Sequence, residues 1–334
     1  MKIGIVGMGV AGSYLASRLS NEHKIVGYEK FEEDKFDSIC GWATSKYAMH
    51  EIAKKCGLNF DDYILHEGDT MLLDLGRIKF EMKLKGLCIF DKLSFIKDMR
   101  ENIDVNFGKY VTRDSLNEMY ELIIDATGVI RSLLPKIKDD LLIPCVQYKV
   151  KFKDPPYDDF YVKPFTGASG YLWYFPLGNG YVHLGAGDYY KRHEVELKAF
   201  LNRHPGEVLK KVGRPIRVTP PSFCEPFYQG NVVGVGEAIG TVYPMLGEGI
   251  IPSLQCADLL IDNLHDLSKY RKEVLRKFKI FNIVYSLIKS KLERRFSLNL
   301  KLLPILRVFL HMKRNEKRYG VGVKISYITD VLRI

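Results

Sequence analysis

The first 29 residues constrain the fold of this chain more than any other stretch. An apolar run over residues 3–6 is followed directly by a G-x-G-x-x-G turn over residues 7–12. Apolar residues at helical spacing then predict a helix over 13–19, and a second apolar run predicts a strand over 25–28. This order of strand, glycine turn, helix and strand is typical of a dinucleotide-binding unit.

Each polar or small residue in this unit has a distinct physical role. Gly7 permits the tight turn, Gly9 lets a pyrophosphate approach the backbone, and Gly12 lets the helix pack closely on the strand. The N-terminus of the helix offers free N–H groups to the phosphates. Glu29, at the end of the second strand, is placed to accept hydrogen bonds from ribose hydroxyls. The pattern predicts a dinucleotide site, and the alternative is a glycine-rich turn without a ligand.

The composition allows a large α/β protein. The chain has 334 residues, of which 46% are hydrophobic, enough for two modest domains or one large unit with an inserted lobe. None of the six cysteines forms a C-x-x-C pair, and no Cys/His cluster has zinc spacing. Because the nucleotide motif begins at residue 3, we expect no signal peptide, a cytoplasmic location and separate thiols. No apolar run reaches the roughly 18 residues needed to cross a bilayer.

Hydrophobic periodicity predicts the remaining elements. In the first half we expect a helix capped by Thr44 or Ser45 and ended by Gly57, antiparallel strands over 62–90, a helix over 91–99, a third parallel strand over 103–107, and a buried strand running into a small-residue turn over 122–128. In the second half we expect an antiparallel sheet over 145–187, helices over 197–203 and 206–211, a buried strand over 231–236, a loop over 237–248, a helix over 249–264, and basic helices over 268–334.

Three separated segments have the character of walls of one flavin site: 3–29, 122–131 and 231–256. A nicotinamide dehydrogenase needs only the first of them. A flavin dinucleotide is held over its whole length, so it requires a late strand, turn and helix N-terminus such as those at 231–256. Either later segment by itself is equally an ordinary strand–turn–helix.

Further motifs resemble the geranylgeranyl reductase family, which includes the archaeal digeranylgeranylglycerophospholipid reductases. The Y-x-W-x-F-P sequence over 171–176, followed by glycines at 178, 180 and 185, is similar to a signature of that family. Residues 159–161, the cysteine turn over 38–41 and the late segment resemble other family motifs in the same order. The similarity covers about residues 1–265.

The resemblance implies an FAD-dependent enzyme with a hydroxybenzoate-hydroxylase-like α/β fold. This fold combines a Rossmann-type parallel sheet with an antiparallel substrate lobe, and here a basic helical tail is added. We expect FAD-binding parts at 1–61, 91–140 and 225–266, a small antiparallel segment at 62–90, a substrate-binding lobe at 141–224 and the tail at 267–334. The implied activity is reduction of carbon–carbon double bonds in an isoprenoid lipid or precursor, with NAD(P)H or a ferredoxin-like protein as electron donor.

The motifs and the resemblance together select candidate site residues. The predicted cofactor-binding residues are Gly7, Gly9, Ala11, Gly12, Glu29, Lys30, Cys40, Gly41, Lys92, Ala126, Gly128, Glu237, Gly247, Gly249 and Ile250. The predicted substrate-binding residues are Tyr171, Trp173 and Phe175, which alternate on one strand and so share a face. No residue is singled out as a catalytic acid, and His183 is interpreted as structural.

The chain departs from the family pattern at several of these positions. Glu237 replaces the usual Asp of the late motif, and Lys92 stands in place of an Arg. Lysine offers a point charge instead of a bidentate fork. Trp42 and Ala43 occupy positions where the family has an acid and a glycine. These changes lie on the cofactor and on the substrate side of the predicted site.

Two other function classes are compatible with the sequence. One is a flavin monooxygenase or halogenase of the same fold, which would consume oxygen. The other is a flavoprotein electron carrier or a non-catalytic FAD-binding protein, which would have no room for a chain beside the flavin.

The charge of the chain is concentrated in its tail. Residues 267–334 contain 18 Lys/Arg and 4 Asp/Glu, a net charge of +14, whereas the remainder carries −4. Apolar residues are interleaved with these charges, as in an interfacial helix on an anionic membrane. The alternative is that the tail helices pack on the body and expose only a solvated basic face. No nucleic-acid-binding motif accompanies the charge.

Overall fold

The computed structural model describes residues 1–37, 40–116, 118–297 and 301–333. Ser38 and Ile39 of the predicted cysteine turn lie outside the described residues. The strands are β1 (Lys2–Val6), β2 (Lys24–Tyr28), β3 (Ala43–Ser45), β4 (Ile64–Glu67), β5 (Thr70–Asp74), β6 (Lys79–Lys83), β7 (Leu87–Phe90), β8 (Asp104–Asn106), β9 (Leu122–Asp125), β10 (Leu142–Lys151), β11 (Phe160–Pro164), β12 (Gly170–Gly178), β13 (Tyr181–Asp188), β14 (Glu207–Arg217), β15 (Tyr228–Gln229) and β16 (Val232–Gly234).

The α-helices alternate with these strands in the first half and dominate the end of the chain. They are α1 (Val10–Leu19), α2 (Lys46–Lys55), α3 (Lys92–Met99), α4 (Arg113–Leu116), α5 (His193–Arg203), α6 (Ile250–Asp262), α7 (Leu267–Lys277), α8 (Lys279–Leu292), α9 (Leu302–Arg314), α10 (Glu316–Tyr319) and α11 (Ile325–Arg333). Capping fits the sequence prediction: Ser45 accepts a hydrogen bond from the Ala48 N–H at the start of α2.

A six-stranded sheet in the order β15-β16-β9-β1-β2-β8 forms the nucleotide-binding half. It is parallel except for β15, which pairs antiparallel with β16. Its inner strands are almost entirely buried, as expected for a parallel sheet covered on both faces. The carboxyl ends of β1, β2, β9 and β16 meet at one edge, which is where α/β sheets bind ligands.

A seven-stranded sheet in the order β14-β10-β13-β12-β11-β5-β6 forms the lobe. Two of its strands, β5 and β6, come from the segment 62–90, and the other two strands of that segment join β3 in a three-stranded sheet. The predicted helix over 206–211 is wrong, because these residues belong to the long edge strand β14. The pairing of β14 with β10 runs from Leu142 with Arg217 to Lys151 with Glu207, and it supplies backbone hydrogen bonds along the whole segment.

The tail packs on the body through its apolar residues. The Tyr270 hydroxyl on α7 donates to the Gly234 carbonyl of the parallel sheet at 2.8 Å. Val274, Val284 and Val308 are fully buried in the same core as the nucleotide-binding unit. Within the described part of the chain, no helix is long and apolar enough to cross a membrane.

Candidate active site

The three glycines of the nucleotide turn are required for different structural reasons. Gly7 has φ +91°, and a Cβ there would lie 2.6 Å from the Ala126 carbonyl oxygen. A Cβ on Gly12 would lie 2.0 Å from the Gly7 oxygen, so this glycine is required by packing. A Cβ on Gly9 would meet no atom within 4 Å, although Gly9 lines a large cavity. Gly9 therefore leaves open space in front of α1, whose N-terminus has no side-chain cap.

Glu29 is buried at the end of β2 and faces this turn. One carboxylate oxygen accepts the Met8 N–H at 3.0 Å, and the other accepts the Phe31 N–H at 3.2 Å. These bonds fix the carboxylate beside the cavity while leaving acceptor lone pairs on both oxygens. Lys30, next in the chain, is exposed at the rim of the cavity.

The second wall of the cavity comes from the turn after β9, which includes Ala126 and Gly128. The fully buried Asp125 accepts N–H groups of Thr127 and Leu133, and so holds this turn in shape. Arg131 donates to the carbonyls of Pro135, Ala238 and Pro226, which ties the turn to the late segment. The sequence interpretation missed Arg131, and no motif marked it.

Glu237 lies in the third wall of the cavity, and its carboxylate accepts hydrogen bonds from β14. One of its oxygens accepts the Arg217 N–H at 2.9 Å, and the other accepts from the Arg214 guanidinium. Attraction to Glu237 is the main cause that raises the pKa of Arg214. The Arg217 guanidinium binds Asp140 and the Glu237 carbonyl. Both arginines were missed because no element was predicted over residues 212–217; alternation along a strand was the signal.

The late loop before α6 brings Gly247, Gly249 and Ile250 to the cavity. Gly247 has φ +62°. The Tyr171 hydroxyl donates to the Leu246 carbonyl, and Glu248 forms a 2.7 Å ion pair with Arg318 of α10. The tail therefore takes part in shaping the site, which the sequence did not predict.

Cys40 and Gly41 lie beside α3 and the lobe. The Lys92 Nζ donates to the Cys40 Sγ at 3.3 Å, and the Lys92 side chain is buried. A Cβ on Gly41 would lie 2.8 Å from the Phe175 ring, so this glycine permits close contact with the lobe. Trp42 adopts a positive φ of 62°, and its ring meets the His183 ring edge-on.

His183 has a structural environment. Its Nδ1 lies 3.5 Å from the Gly41 carbonyl oxygen, and its ring packs on Trp42. Burial lowers the pKa of His183 to about 4, so the imidazole is neutral at physiological pH. A neutral, buried ring that supports Gly41 and Trp42 fits the structural interpretation.

The three aromatic residues of β12 share one face, as the alternation predicted. The ring centroids of Tyr171 and Trp173 are 5.8 Å apart, and those of Trp173 and Phe175 are 6.3 Å apart. The Trp173 Nε1 donates to the Gln147 Oε1 at 3.3 Å. The alternate residues Leu172 and Tyr174 point into the separate core of the lobe.

The elements described above enclose one cavity of about 970 Å³. Of the 18 predicted site residues, every one except Gly12 lines it. Apolar residues of the lobe strands and of the tail complete the lining: Met71, Leu73, Met82, Val162, Val321, Val323, Ile328 and Leu332. Within the described ranges, no group of three or more His, Cys, Asp or Glu side chains could hold a metal ion.

Comparisons with known proteins give relatives over part of the chain. It is 31% identical over 156 residues to the digeranylgeranylglycerophospholipid reductase of Thermoplasma acidophilum, which is 42% of this chain and 37% of that protein. It is 32% identical over 151 residues to a second such reductase, from Methanothermobacter thermautotrophicus, covering 41% of this chain and 39% of that protein. The chain thus spans under two fifths of the length of these curated relatives. No family model matches it.

Solved structures show the fold over nearly the whole chain. A geranylgeranyl bacteriochlorophyll reductase-like protein from Thermoplasma acidophilum has a TM-score of 0.73 at 17% identity, covering 99% of this chain and 94% of that chain. A probable FAD-dependent monooxygenase from Pseudomonas aeruginosa has a TM-score of 0.62 at 15% identity, covering 87% of this chain and 96% of that chain. The predicted fold class is confirmed, and the sequence relatives confirm the resemblance to the geranylgeranyl reductases over the segment they cover.

Proposed function

We propose that this chain is an FAD-dependent reductase that saturates carbon–carbon double bonds of an isoprenoid lipid or its precursor. One observation carries the proposal: a single cavity is lined by the nucleotide-binding turn, by the aromatic face of β12 and by apolar residues of the lobe and the tail. Such a cavity suits polyprenyl chains, which offer a large apolar area and almost no hydrogen-bonding groups.

The residues present fit an FAD molecule. The open space at Gly9 and the uncapped N-terminus of α1 suit a pyrophosphate, and the fixed carboxylate of Glu29 suits a ribose. Ala11, Ala126 and Gly128 would flank the dinucleotide. The full set proposed to hold FAD is that predicted from the sequence, with Gly12 acting through helix packing.

The late loop and the Lys92–Cys40 pair would lie on the redox-active side of the cofactor. We propose that Gly247, Gly249 and Ile250 contact the cofactor from the start of α6. Lys92, at the start of α3, and Cys40 are proposed to contact it as well. When bound in its reduced form, FAD would supply the hydride chemistry for one alkene carbon, and the other carbon would take a proton from a nearby acid or water. The chain's own contribution is to bind the lipid, orient it and exclude water.

Orientation of the substrate is assigned to Tyr171, Trp173 and Phe175. Trp173 is held by Gln147 and Tyr171 by the Leu246 carbonyl, so these rings form a rigid face instead of a mobile one. Apolar side chains of the tail line the same cavity. Electrons are proposed to come from NAD(P)H or a ferredoxin-like protein, and the protein to work peripherally at the inner face of a membrane.

A flavin monooxygenase or halogenase is the second candidate. It is favoured by the fold neighbours, which include a flavin-dependent halogenase from Xanthomonas campestris with a TM-score of 0.66 at 14% identity, covering 86% of this chain and 77% of that chain. Coupled oxygen consumption and product hydroxylation would select this candidate. An electron carrier is disfavoured by the apolar space inside the cavity.

The first experiment is spectroscopic. The purified protein should be yellow, and heat or acid should release FAD and not FMN, because the glycine turn is suited to a pyrophosphate. Colourless protein that cannot be reconstituted with FAD would refute the proposed function.

A further inference from the structure

Helix α9 leaves one apolar face exposed. Leu302, Leu303, Leu306 and Leu310 are 56%, 70%, 41% and 40% exposed. At about 100° per residue these four side chains fall within a sector of about 100°. Val308, on the other side of the helix, is fully buried. The tail thus packs on the body with one side of α9 and presents leucines with the other.

Basic side chains border this leucine face. Arg307 and Arg314 are exposed and follow next to Leu303 around the helix. Lys313, on the last turn of the helix, falls within the angular range of the leucines, and its ammonium group donates to Glu316 at 2.7 Å. An exposed apolar sector bordered by arginines is the arrangement of a helix that lies in a membrane interface.

The helices that carry this face also line the cavity. Met312 of α9 and Ile288 of the neighbouring α8 are among its lining residues. Between α8 and α9 a recess of about 230 Å³ opens, with Ile283, Pro304 and Lys301 in its lining. A surface that takes lipid at α9 would therefore lie on helices that also line the cavity.

We propose that the leucine face of α9 docks the protein on an anionic lipid bilayer. The net charge of +14 over residues 267–334 complements anionic head groups, and the leucines supply the area that inserts. Membrane docking itself does not depend on the proposed function. Its biological role rests on that function, because a lipid substrate would be reached from this surface.

The test uses the FAD-loaded full chain in vesicle sedimentation. Vesicles of phosphatidylglycerol with phosphatidylcholine are compared with phosphatidylcholine alone, at low and high salt. The wild type should bind the anionic vesicles in a salt-sensitive way. Leu303→Asp with Leu306→Asp should lower the partition coefficient at least tenfold. The matched control is Val195→Asp on α5, a 69% exposed apolar residue on another helix, which should change nothing.

A second variant separates charge from insertion. Arg307→Gln with Arg314→Gln should lower the partition coefficient on anionic vesicles about 25-fold, roughly fivefold for each charge, and leave neutral vesicles unaffected. Equal binding of wild type and both variants would overturn the proposal. So would dimerisation in solution that the aspartates abolish, because the face would then be an interface between copies. Bound FAD and reduction of detergent-dispersed lipid should persist in every variant; their loss in the wild type would count against the proposed function alone.

Discussion

Two glycines of the nucleotide turn separate folding from ligand binding at the scale of single residues. Gly9 has φ −75°, which any residue adopts, and a methyl group there meets no atom. Gly9→Ala should therefore fold with wild-type stability but bind FAD at least tenfold more weakly, because the methyl group enters the space needed by the pyrophosphate. FAD titration and thermal unfolding of the apoprotein measure the two effects.

Gly12→Ala is the comparison variant. It should impair the folding of the apoprotein, whereas Gly9→Ala should impair only FAD binding. The methyl group of Gly12→Ala would clash with the Gly7 oxygen, so the apoprotein itself should be destabilised. Unchanged FAD affinity in Gly9→Ala would show that no pyrophosphate lies against this turn.

Trp173 tests the assignment of the aromatic face. Trp173→Ala should reduce the activity per bound FAD about tenfold or more while FAD affinity is kept, because the ring is proposed to orient the substrate. Trp173→Phe should restore much of the activity, since it keeps an aromatic surface. If Trp173→Ala loses stability and flavin together at normal activity per flavin, the ring is only part of the core.

At the scale of elements, sequence reasoning was most reliable where one signal was strong. The glycine turn placed β1, α1 and β2 correctly, and Ser45 marked the start of α2. The segment 206–211 was misread because Val208 and Leu209 precede two lysines, a pattern that also fits a helix turn. Its strand structure depends on β10, some 60 residues earlier, and such pairing is not visible locally. Arg214 and Arg217 lie farther along the same strand, where no element was predicted.

The contact of α10 with the body provides a further prediction. Glu316 is buried and accepts from Lys313, from Lys85 of the body and from the Val323 N–H. Although burial opposes it, these hydrogen bonds lower the pKa of Glu316 to about 2. The stabilisation is therefore present above the unfolded pKa of about 4.5 and is lost as the pH falls toward 2.

Glu316→Gln should accordingly lower the free energy of unfolding by about 3 kcal/mol at neutral pH and by progressively less below pH 4.5. Urea unfolding at several pH values measures this difference. The control is Glu293→Gln, whose exposed pair with Lys289 is worth about 1 kcal/mol or less. A pH-independent difference would show that Glu316 acts through packing and not through its charge.

At the scale of the whole molecule, the sequence predicted the cofactor-binding wall of the cavity better than the wall formed by the tail. One cavity is lined by residues from the three predicted segments, 3–29, 122–131 and 231–256. This is because the strands in these segments belong to the same parallel sheet. The tail wall was not predicted, since Val321 and Leu332 have no motif and reach the cavity only through packing on the lobe. For the tail, the sequence predicted either packing on the body or an interfacial surface. Both features are present in the structure, because the tail helices pack on the body while α9 keeps an exposed leucine face.

The most direct test of the account is anaerobic turnover followed by lipid mass spectrometry. The FAD-loaded protein is reduced chemically without oxygen and mixed with a geranylgeranyl-type lipid. The proposed function predicts that the lipid gains two hydrogens for each double bond reduced, with matching reoxidation of the flavin. A flavin that stays reduced until oxygen is admitted, together with an unchanged or hydroxylated lipid, would contradict it.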